Sequence, residues 1–275
     1  MPLEDLGRLA AGLFAAGASV VCLLEPVAER RPLRMPVVRR WLTNTGLAGI
    51  SYGVERVALP LSALGVAALA EERSLGLLAA LDGAPILQLA LGALLLDLAH
   101  YLAHRLLHAV PWLWRFHEAH HTDLDVDFTT AVRHHPLEGL MIAPVLGVAV
   151  LALGIGPTAV LLHSAMRAGW DFVTHGNLRF PAWLETPLRS LLVTPDMHRI
   201  HHSAVRAESN SNFGGLLSGW DRLLGTYRSR PAAGPIEMTL GVAGRTEADL
   251  GLWALLVAPF RMRSSTRDAA LVVRG

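Results

Sequence analysis

The chain has 275 residues, of which 52% are hydrophobic and only 17% are charged, and its mean hydropathy is +0.39. This composition lies outside the usual range of soluble proteins. All basic residues are arginine and the net charge is +1, so we expect no basic face that binds nucleic acid. The single cysteine, Cys22, excludes a disulfide framework and a cysteine-based zinc site.

Long apolar runs predict membrane-spanning helices, which need about 20 residues each. Three runs approach that length, at residues 6–24, 47–70 and 84–107. Two shorter runs, 139–153 and 157–173, are divided by the sequence GIGP, which predicts the tip of a helical hairpin because proline is tolerated in a first helical turn. We therefore expect an all-α, polytopic membrane protein with about four transmembrane helices, including this hairpin.

The arginines predict the orientation of the chain in the membrane. Residues 26–43 carry five arginines, whereas the loop after the second run has only Arg73 beside two glutamates. The positive-inside rule places residues 26–43 in the cytoplasm, and counting spans from there places the histidine-rich segments on the same side. We expect a single membrane-embedded domain over residues 1–275, in which a cytosolic helical cap holds a histidine-rich site for two metal ions. Its parts are the N-terminal transmembrane helices at 1–83, the core at roughly 84–228 and the C-terminal tail at 229–275.

All thirteen histidines lie between His100 and His202. The motif H-x-x-H-H occurs twice, in RFHEAHHT and in TPDMHRIHHS, and comprises His117, His120, His121 and His198, His201, His202. Residues at these spacings lie on one face of a helix, so the three imidazoles of each motif could converge on one metal ion. His104 and His108, four residues apart, add two candidate ligands, and His135 and His175 are further candidates.

The number of candidate imidazoles favours two metal ions, because a tetrahedral zinc site takes only four ligands. Imidazole also binds copper, iron and nickel, so the ligand type does not identify the metal. Two neighbouring iron ions would explain the duplicated motif, since O2 activation needs open coordination positions and several electrons. For the more isolated His100, His134 and His163 we expect core or interfacial roles.

Two other functions are compatible with parts of this pattern. HEAHH contains the H-E-x-x-H motif of zinc proteases, in which Glu118 would be the general base. The second motif has Arg199 at that position, so the repeat favours metal ligation and we expect Glu118 to be a solvated non-ligand. A membrane metal transporter or sensor should place its ligands along a path within its spans, whereas most of these histidines lie in polar segments outside the apolar runs.

Four segments resemble the fatty acid hydroxylase superfamily, which includes sterol desaturases and C-4 methylsterol oxidases. They are DLAHYLAHRLLH, LWRFHEAHHTDLDVDFTTAVRHHPLE, FVTHGNLRFP and TPDMHRIHHSAVRAESNSNFGGLLSGWDRLLGTYR, and the resemblance spans roughly residues 24–228. It implies a membrane-embedded, O2-dependent di-iron oxygenase that hydroxylates or desaturates an unactivated C–H bond of a lipid. The metal ligands that it implies are His104, His108, His117, His120, His121, His135, His175, His198, His201 and His202.

The resemblance also implies a cofactor and partners. We expect two iron ions per chain, for which zinc can substitute, and a membrane lipid substrate such as a fatty acyl chain or a sterol-like molecule. No glycine-rich dinucleotide motif precedes a helix, so we expect electrons from an external donor: a cytochrome b5-like protein, a ferredoxin or a reductase. Asp171 stands where some lipid hydroxylases have a further histidine; it is a candidate ligand or ligand-orienting group, as are Asp97 and Asn177.

Overall fold

The computed structural model describes residues 3–58, 62–81 and 83–261. In these residues the chain is helical, and its only β pairing consists of isolated bridges, which confirms the all-α fold. The α-helices are α1 (Leu3–Leu24), α2 (Val37–Val57), α3 (Ala63–Glu72), α4 (Pro85–Ala109), α5 (Pro111–His121), α6 (Glu138–Leu153), α7 (Pro157–His175), α8 (Ala182–Leu191), α9 (Pro195–His201), α10 (Arg206–Ser209), α11 (Gly219–Leu223) and α12 (Leu252–Val257).

The predicted helical hairpin is formed by α6 and α7. Gly154 ends α6 with a φ of 69°, in the left-handed region that glycine adopts without the steric cost of a Cβ. Pro157 then occupies the first turn of α7, where its missing N–H leaves no hydrogen bond unmade. The hairpin packs against α3 and α4 around a buried apolar core that includes Leu96 and Val150.

The prediction of one continuous span over residues 47–70 is wrong. The chain instead forms two helices, and the second begins after Ser62, whose side chain accepts a hydrogen bond from the backbone N–H of Gly65. Residues 59–61 lie outside the described residues, but their sequence includes Pro60, which is unfavourable inside a helix. Beyond α3, Leu75 reaches the tip of the hairpin, where its carbonyl oxygen lies beside Gly154. Helices α2 and α3 therefore carry the chain to the hairpin tip, and α4 returns it.

Two helices are long and apolar enough to cross a membrane, over Gly7–Leu24 in α1 and Pro85–Ala109 in α4. The apolar residues of α1 are largely exposed; Leu23, for example, is 75% exposed. An exposed apolar surface of this kind is uncommon in soluble proteins and indicates a membrane protein. The number of spans and the side on which the histidines lie stay predictions.

Helix α1 packs along α7 through a pair of glycines. A Cβ atom built on Gly17 would lie 2.9 Å from the carbonyl oxygen of Gly169, so the two backbones are in direct contact. One turn further along, Val21 and Phe172 belong to the same buried cluster. Small residues at a crossing allow two helices to approach closely. Close approach strengthens van der Waals packing, which is one of the interactions that hold helices together in lipid.

We predict that Gly17→Ala lowers the melting temperature of the detergent-solubilised protein, because the added methyl group forces the α1 and α7 backbones apart. Gly12→Ala is the matched control, since a Cβ there meets no atom within 4 Å. Alanine in a helix interior is favoured over glycine by roughly 0.5–1 kcal/mol, so the control should unfold at the same or a higher temperature. Equal melting temperatures for the two variants would contradict the tight crossing.

Candidate metal centre

Four helices bring nine histidines together at one end of the helical bundle. Helix α4 ends at Ala109, and after Val110 in an extended conformation Pro111 begins α5. Proline cannot continue the preceding helix, so the chain turns and α5 packs beside the end of α4. The C-terminal end of α7 and the short helix α9 complete the centre, and the nine side chains form two groups.

The first histidine group consists of His104, His108, His117, His121 and His201. The Nε2 atom of His104 lies 3.1 Å from that of His117 and 3.0 Å from that of His201. The Nε2 atoms of His108 and His121 are 3.1 Å apart. Five ring nitrogens from α4, α5 and α9 therefore converge on one point.

The second histidine group consists of His120, His175, His198 and His202, all of them buried. The Nε2 atom of His175 lies 3.1 Å from that of His120 and 3.0 Å from that of His198. The two groups are adjacent, because the ring of His202 stacks on that of His121 in the first group at a centroid distance of 4.6 Å.

Backbone carbonyls fix the protonation state of several rings. In three histidines Nδ1 bonds to a carbonyl oxygen at 2.7–2.8 Å: His104 to Phe213, His175 to Asp171 and His201 to Ser211. A carbonyl oxygen can only accept, so the proton must be on Nδ1. In a neutral imidazole Nε2 then keeps its lone pair, and that lone pair points into the histidine group.

The two groups fit metal ions better than a hydrogen-bonded protein core. Burial lowers the pKa of His201 to about 3, so its ring is neutral at physiological pH. Both ring nitrogens of His202 are buried without a hydrogen-bond partner in the described residues, which is unfavourable unless a ligand is bound. Nitrogens about 2.1 Å from a shared ion and at right angles are about 3.0 Å apart, close to the separations in both groups.

Each H-x-x-H-H motif is divided between the two groups, so the prediction that each motif converges on one metal is wrong. In both motifs the two histidines four residues apart join one group and the middle histidine joins the other. Thus His117, His121 and His201 lie in the first group, and His120, His198 and His202 in the second. Adjacent residues on a helix point about 100° apart, which separates the neighbouring pair at the end of each motif.

The structure does not bring His135 into either group. Its Nε2–H donates to the carbonyl oxygen of Leu256 at 3.2 Å, and its Nδ1 accepts from the backbone N–H of Leu137 at 3.1 Å. Both ring nitrogens are therefore occupied by backbone groups.

Asp171 and Asn177 also lie outside the two groups. The carboxylate of Asp171 faces Arg167 at 3.6 Å, and it is its backbone carbonyl that orients His175. The side chain of Asn177 accepts from the backbone N–H of Arg31 and donates to the carbonyl of the same residue. Asn177 therefore positions the segment that follows α1.

Asp97 is buried within α4 and connects three elements. Its carboxylate accepts hydrogen bonds from Nε2 of His163 in α7 at 3.0 Å and from the indole N–H of Trp220 in α11 at 2.8 Å. Asp97 thus holds α11 against the bundle.

Sequence reasoning missed the role of Glu138. One oxygen of its buried carboxylate accepts from Nδ1 of His117 at 2.9 Å and from Nδ1 of His134 at 3.0 Å. The ring of His134 in turn stacks on that of His120, with centroids 4.4 Å apart. Glu138 therefore orients a histidine of the first group directly and one of the second through His134. The signal in the sequence is its spacing four residues after His134, in HHPLE.

The residue after the first histidine of each motif, Glu118 or Arg199, is buried and paired. Glu118 is 3% exposed, and Arg245 binds both of its oxygens at 2.8 and 3.0 Å, so the prediction of a solvated Glu118 is wrong. The guanidinium of Arg199 binds the carboxylate of Asp196 and the carbonyl of Gly176. These side chains attach α5 and α9 to neighbouring segments.

A buried arginine anchors the loop after α5. Arg40, from α2, donates to the carboxylates of Asp123 at 2.8 Å and Asp127 at 2.6 Å. Burial alone would raise the pKa of Asp123, but the guanidinium outweighs burial and brings this pKa to about 2. The ion pairs thus hold the loop beside the end of α5, where His120 and His121 lie.

A cavity of about 380 Å³ adjoins both histidine groups, within the range of small-molecule binding sites. It lies between α1, α2, α4, α6 and α7, and its walls include His104 and His175. Phe14 of α1 and Tyr52 of α2 line the cavity and are 43% and 65% exposed, so the cavity is accessible along these two side chains.

The fold and the site define an α-helical membrane protein with two adjacent histidine groups suited to metal ions and a cavity beside them. The chain belongs to the fatty acid hydroxylase family, whose sequence profile matches residues 89–226. This range includes every member of both histidine groups.

Several characterised proteins are similar to the chain. The ornithine lipid hydroxylase OlsE of Rhizobium tropici is 34% identical over 173 residues, which cover 63% of this chain and 50% of that protein. The human alkylglycerol monooxygenase is 30% identical over 48% of this chain and 29% of its own length. The mouse cholesterol 25-hydroxylase is 30% identical over 50% of this chain and 46% of its own length. The matched region thus spans half or less of each relative. No solved structure gives a significant match.

We predict that Arg40→Met lowers the free energy of unfolding by about 3–5 kcal/mol, because it leaves two buried carboxylates without their partner. Arg39→Met is the control: this side chain is 50% exposed and pairs with Glu247 at the surface, so its loss should cost less than about 1 kcal/mol. Thermal unfolding of both purified variants provides the comparison.

The same ion pairs predict a pH dependence. The pKa of folded Asp123 is about 2, below the ordinary value of about 4 for an unfolded aspartate. Its contribution to stability is therefore complete above pH 4 and is lost as the pH falls toward 2. The melting temperature of the wild type should therefore fall more between pH 5 and pH 3 than that of Arg40→Met. A parallel fall of the two melting temperatures would contradict the ion pair of Asp123 with Arg40.

Proposed function

We propose that this protein is a membrane-bound, O2-dependent di-iron enzyme that hydroxylates an unactivated C–H bond of a membrane lipid. The observation that carries the proposal is the convergence of unprotonated imidazole nitrogens in two adjacent groups beside a cavity open to the bundle surface. Membership in the fatty acid hydroxylase family supports it. The names of the three relatives described above also support it: one is an ornithine lipid hydroxylase, one an alkylglycerol monooxygenase and one a cholesterol 25-hydroxylase.

The first iron would be held by the five imidazoles of the first group and the second iron by the four of the second group. His135, Asp97 and Asn177 have other partners and are left out of this ligand set. Nitrogen donors alone would also suit zinc or copper. Iron is proposed because the reaction needs a metal that exchanges electrons with O2, which zinc does not do.

Hydroxylation inserts one atom of O2 into the C–H bond and reduces the other atom to water, which consumes two electrons and two protons. Bound iron would supply the redox chemistry that reduces O2. The protein supplies the ligands, positions the substrate and excludes water. Burial keeps His201 neutral, and the carbonyls behind His104, His175 and His201 keep their Nε2 atoms available. The electrons would come from a separate cytochrome b5-like protein, ferredoxin or reductase.

Hydroxylation is proposed over desaturation because the three relatives described above are named hydroxylases or monooxygenases. Desaturation removes two hydrogen atoms from neighbouring carbons and leaves no oxygen in the lipid. The two reactions therefore differ in whether oxygen from O2 appears in the product.

In the membrane, we propose that α1, α4 and the α6–α7 hairpin are embedded, and that α2 and α3 together form one further, interrupted passage. The histidine end would face the cytoplasm, because the arginine-rich segment between α1 and α2 lies at that end. Arg40, in the first turn of α2, contacts the loop after α5, and Arg30, between α1 and α2, contacts Asp196 at the start of α9. An electron donor would dock on this face.

The two alternative functions are less compatible with the site. In a zinc protease the carboxylate of Glu118 would activate water, but here both of its oxygens bind Arg245. A transporter requires ligands distributed along a path, whereas the nine clustered histidines form one compact centre at one end of the bundle.

We predict that protein purified from iron-replete cells contains about two metal ions per chain, because each histidine group supplies at least the four ligands of a complete site. His108→Ala removes a ligand of the first group and His202→Ala one of the second, so each should lower the metal content by at least about one ion. His135→Ala is the matched control and should keep both ions. Elemental analysis measures all four proteins; a single ion in the wild type under every loading condition would refute two-metal binding.

We predict that lipids from a strain that expresses the protein carry hydroxyl groups labelled from heavy-isotope O2, and that a deletion strain lacks them. A strain that expresses His201→Ala, which opens the first group, should resemble the deletion strain. Lipid mass spectrometry after growth under labelled O2 makes the comparison. New double bonds without labelled oxygen would show desaturation, and identical lipids in all strains would contradict lipid oxidation altogether.

A further inference from the structure

One arginine in the cavity has no part in the metal centre. Arg167, Asp171 and His175 are spaced four residues apart on α7, so they lie on one face of the helix, and all three line the cavity. With a rise of 1.5 Å per residue, the backbone of Arg167 is about 12 Å from that of His175 along the helix axis. Its guanidinium reaches toward Asp171, which is one turn nearer to the histidine groups.

The guanidinium of Arg167 is incompletely satisfied by the protein. Its Nε atom is buried without a hydrogen-bond partner in the described residues. Its ion pair with Asp171 spans 3.6 Å, which is longer than a hydrogen bond, and 32% of the side chain is exposed. A charged group at the depth of a membrane-embedded helix is costly and is usually retained for a function.

The surroundings hold this cation in place and leave it accessible from the cavity. A Cβ atom on Gly215 would lie 2.8 Å from Nε of Arg167, so the guanidinium packs directly against the backbone there. Apolar parts of the cavity wall include Phe14, Leu107 and Ile142. The lining also contains the carboxylates of Glu55, Glu138 and Asp171, of which Glu138 is bonded to two histidines and Asp171 faces Arg167. The cavity thus places one guanidinium beside apolar walls that an alkyl chain could follow.

We infer that Arg167 is an anion-binding subsite for the lipid substrate, which carries a carboxylate or a phosphate group. This inference rests on the proposed function, because it assigns the substrate class of the same cavity. The planar guanidinium offers donors that match both anions, and a lipid with such a group would bind the exposed part of the guanidinium, whose contact with Asp171 is longer than a hydrogen bond. The alkyl chain would lie along the apolar walls, and the separation between Arg167 and the histidine groups would determine which carbon is oxidised.

The test compares binding of three radiolabelled probes to the full-length, metal-loaded protein in detergent. Hexadecanoate carries a carboxylate, lysophosphatidate carries a phosphate, and hexadecanol has an alkyl chain with no charge. Equilibrium dialysis against protein-free micelles gives the dissociation constants. In Arg167→Gln we expect binding of at least one of the two anions to weaken by about tenfold or more, and binding of hexadecanol to stay unchanged. The anion with the larger loss identifies the head group.

Two further variants separate recognition from structure. Asp171→Asn removes the carboxylate that competes for Arg167, so it should strengthen binding of the anion, which a purely structural ion pair would not do. Arg206→Gln, at an exposed arginine of α10, is the control and should leave all three dissociation constants unchanged.

The results distinguish the subsite from the proposed reaction. Equal weakening of anion and alcohol binding in Arg167→Gln, or no change in either, would overturn the anion subsite. Binding requires no turnover, so an anion preference that depends on Arg167 would stand even if labelled O2 never entered a lipid. Unchanged metal content in Arg167→Gln would confirm that its effect does not arise from damage to the histidine groups.

Discussion

The structure depends on bringing nine imidazoles together inside the protein so that their ring nitrogens face one another. Imidazoles with their lone pairs about 3 Å apart repel each other unless a cation lies between them, and protonated imidazoles would repel more strongly still. Burial opposes protonation, and the backbone carbonyls of Phe213 and Ser211 hold the remaining proton on the far side of the ring. The helices at this end of the bundle are thereby arranged around a site that only bound cations complete.

The surrounding polar groups are explained by that constraint. Glu138 orients His117 and His134 together, and Arg40 fixes the loop beside α5 through two buried carboxylates. Such pairs contribute little net stability, because desolvation offsets most of the attraction between the charges. Their contribution is positional: each fixes a histidine-bearing segment to a helix from a distant part of the sequence.

The sequence predicted those features that local chemistry determines. Glycine and proline at 154–157 end one helix and begin the next, so the hairpin could be placed from the sequence. Histidine spacing identified eight of the nine members of the two groups, and His175 was named only as a further candidate. Features that depend on tertiary contacts were not predictable. The partner of Glu118 is Arg245, far along the chain, so nothing near HEAHH indicates that its carboxylate is buried. Likewise, the presence of three histidines on one helical face does not show that the middle histidine of each motif lies in the other histidine group.

If both groups bind metal ions as proposed, this shared use of both motifs would link the occupancy of the two centres. An ion in the first group would fix the rotation of α5 and α9 about their axes, because it would bind His121 and His201. The same rotation places the neighbouring His120 and His202 in the second group, so part of the entropy of ordering them would already be lost when the next ion arrives. Binding linkage is reciprocal, so each ion would raise the affinity for the other. The protein would then pass from empty to fully loaded over a narrow range of free metal, and chains with a single ion would be rare at equilibrium.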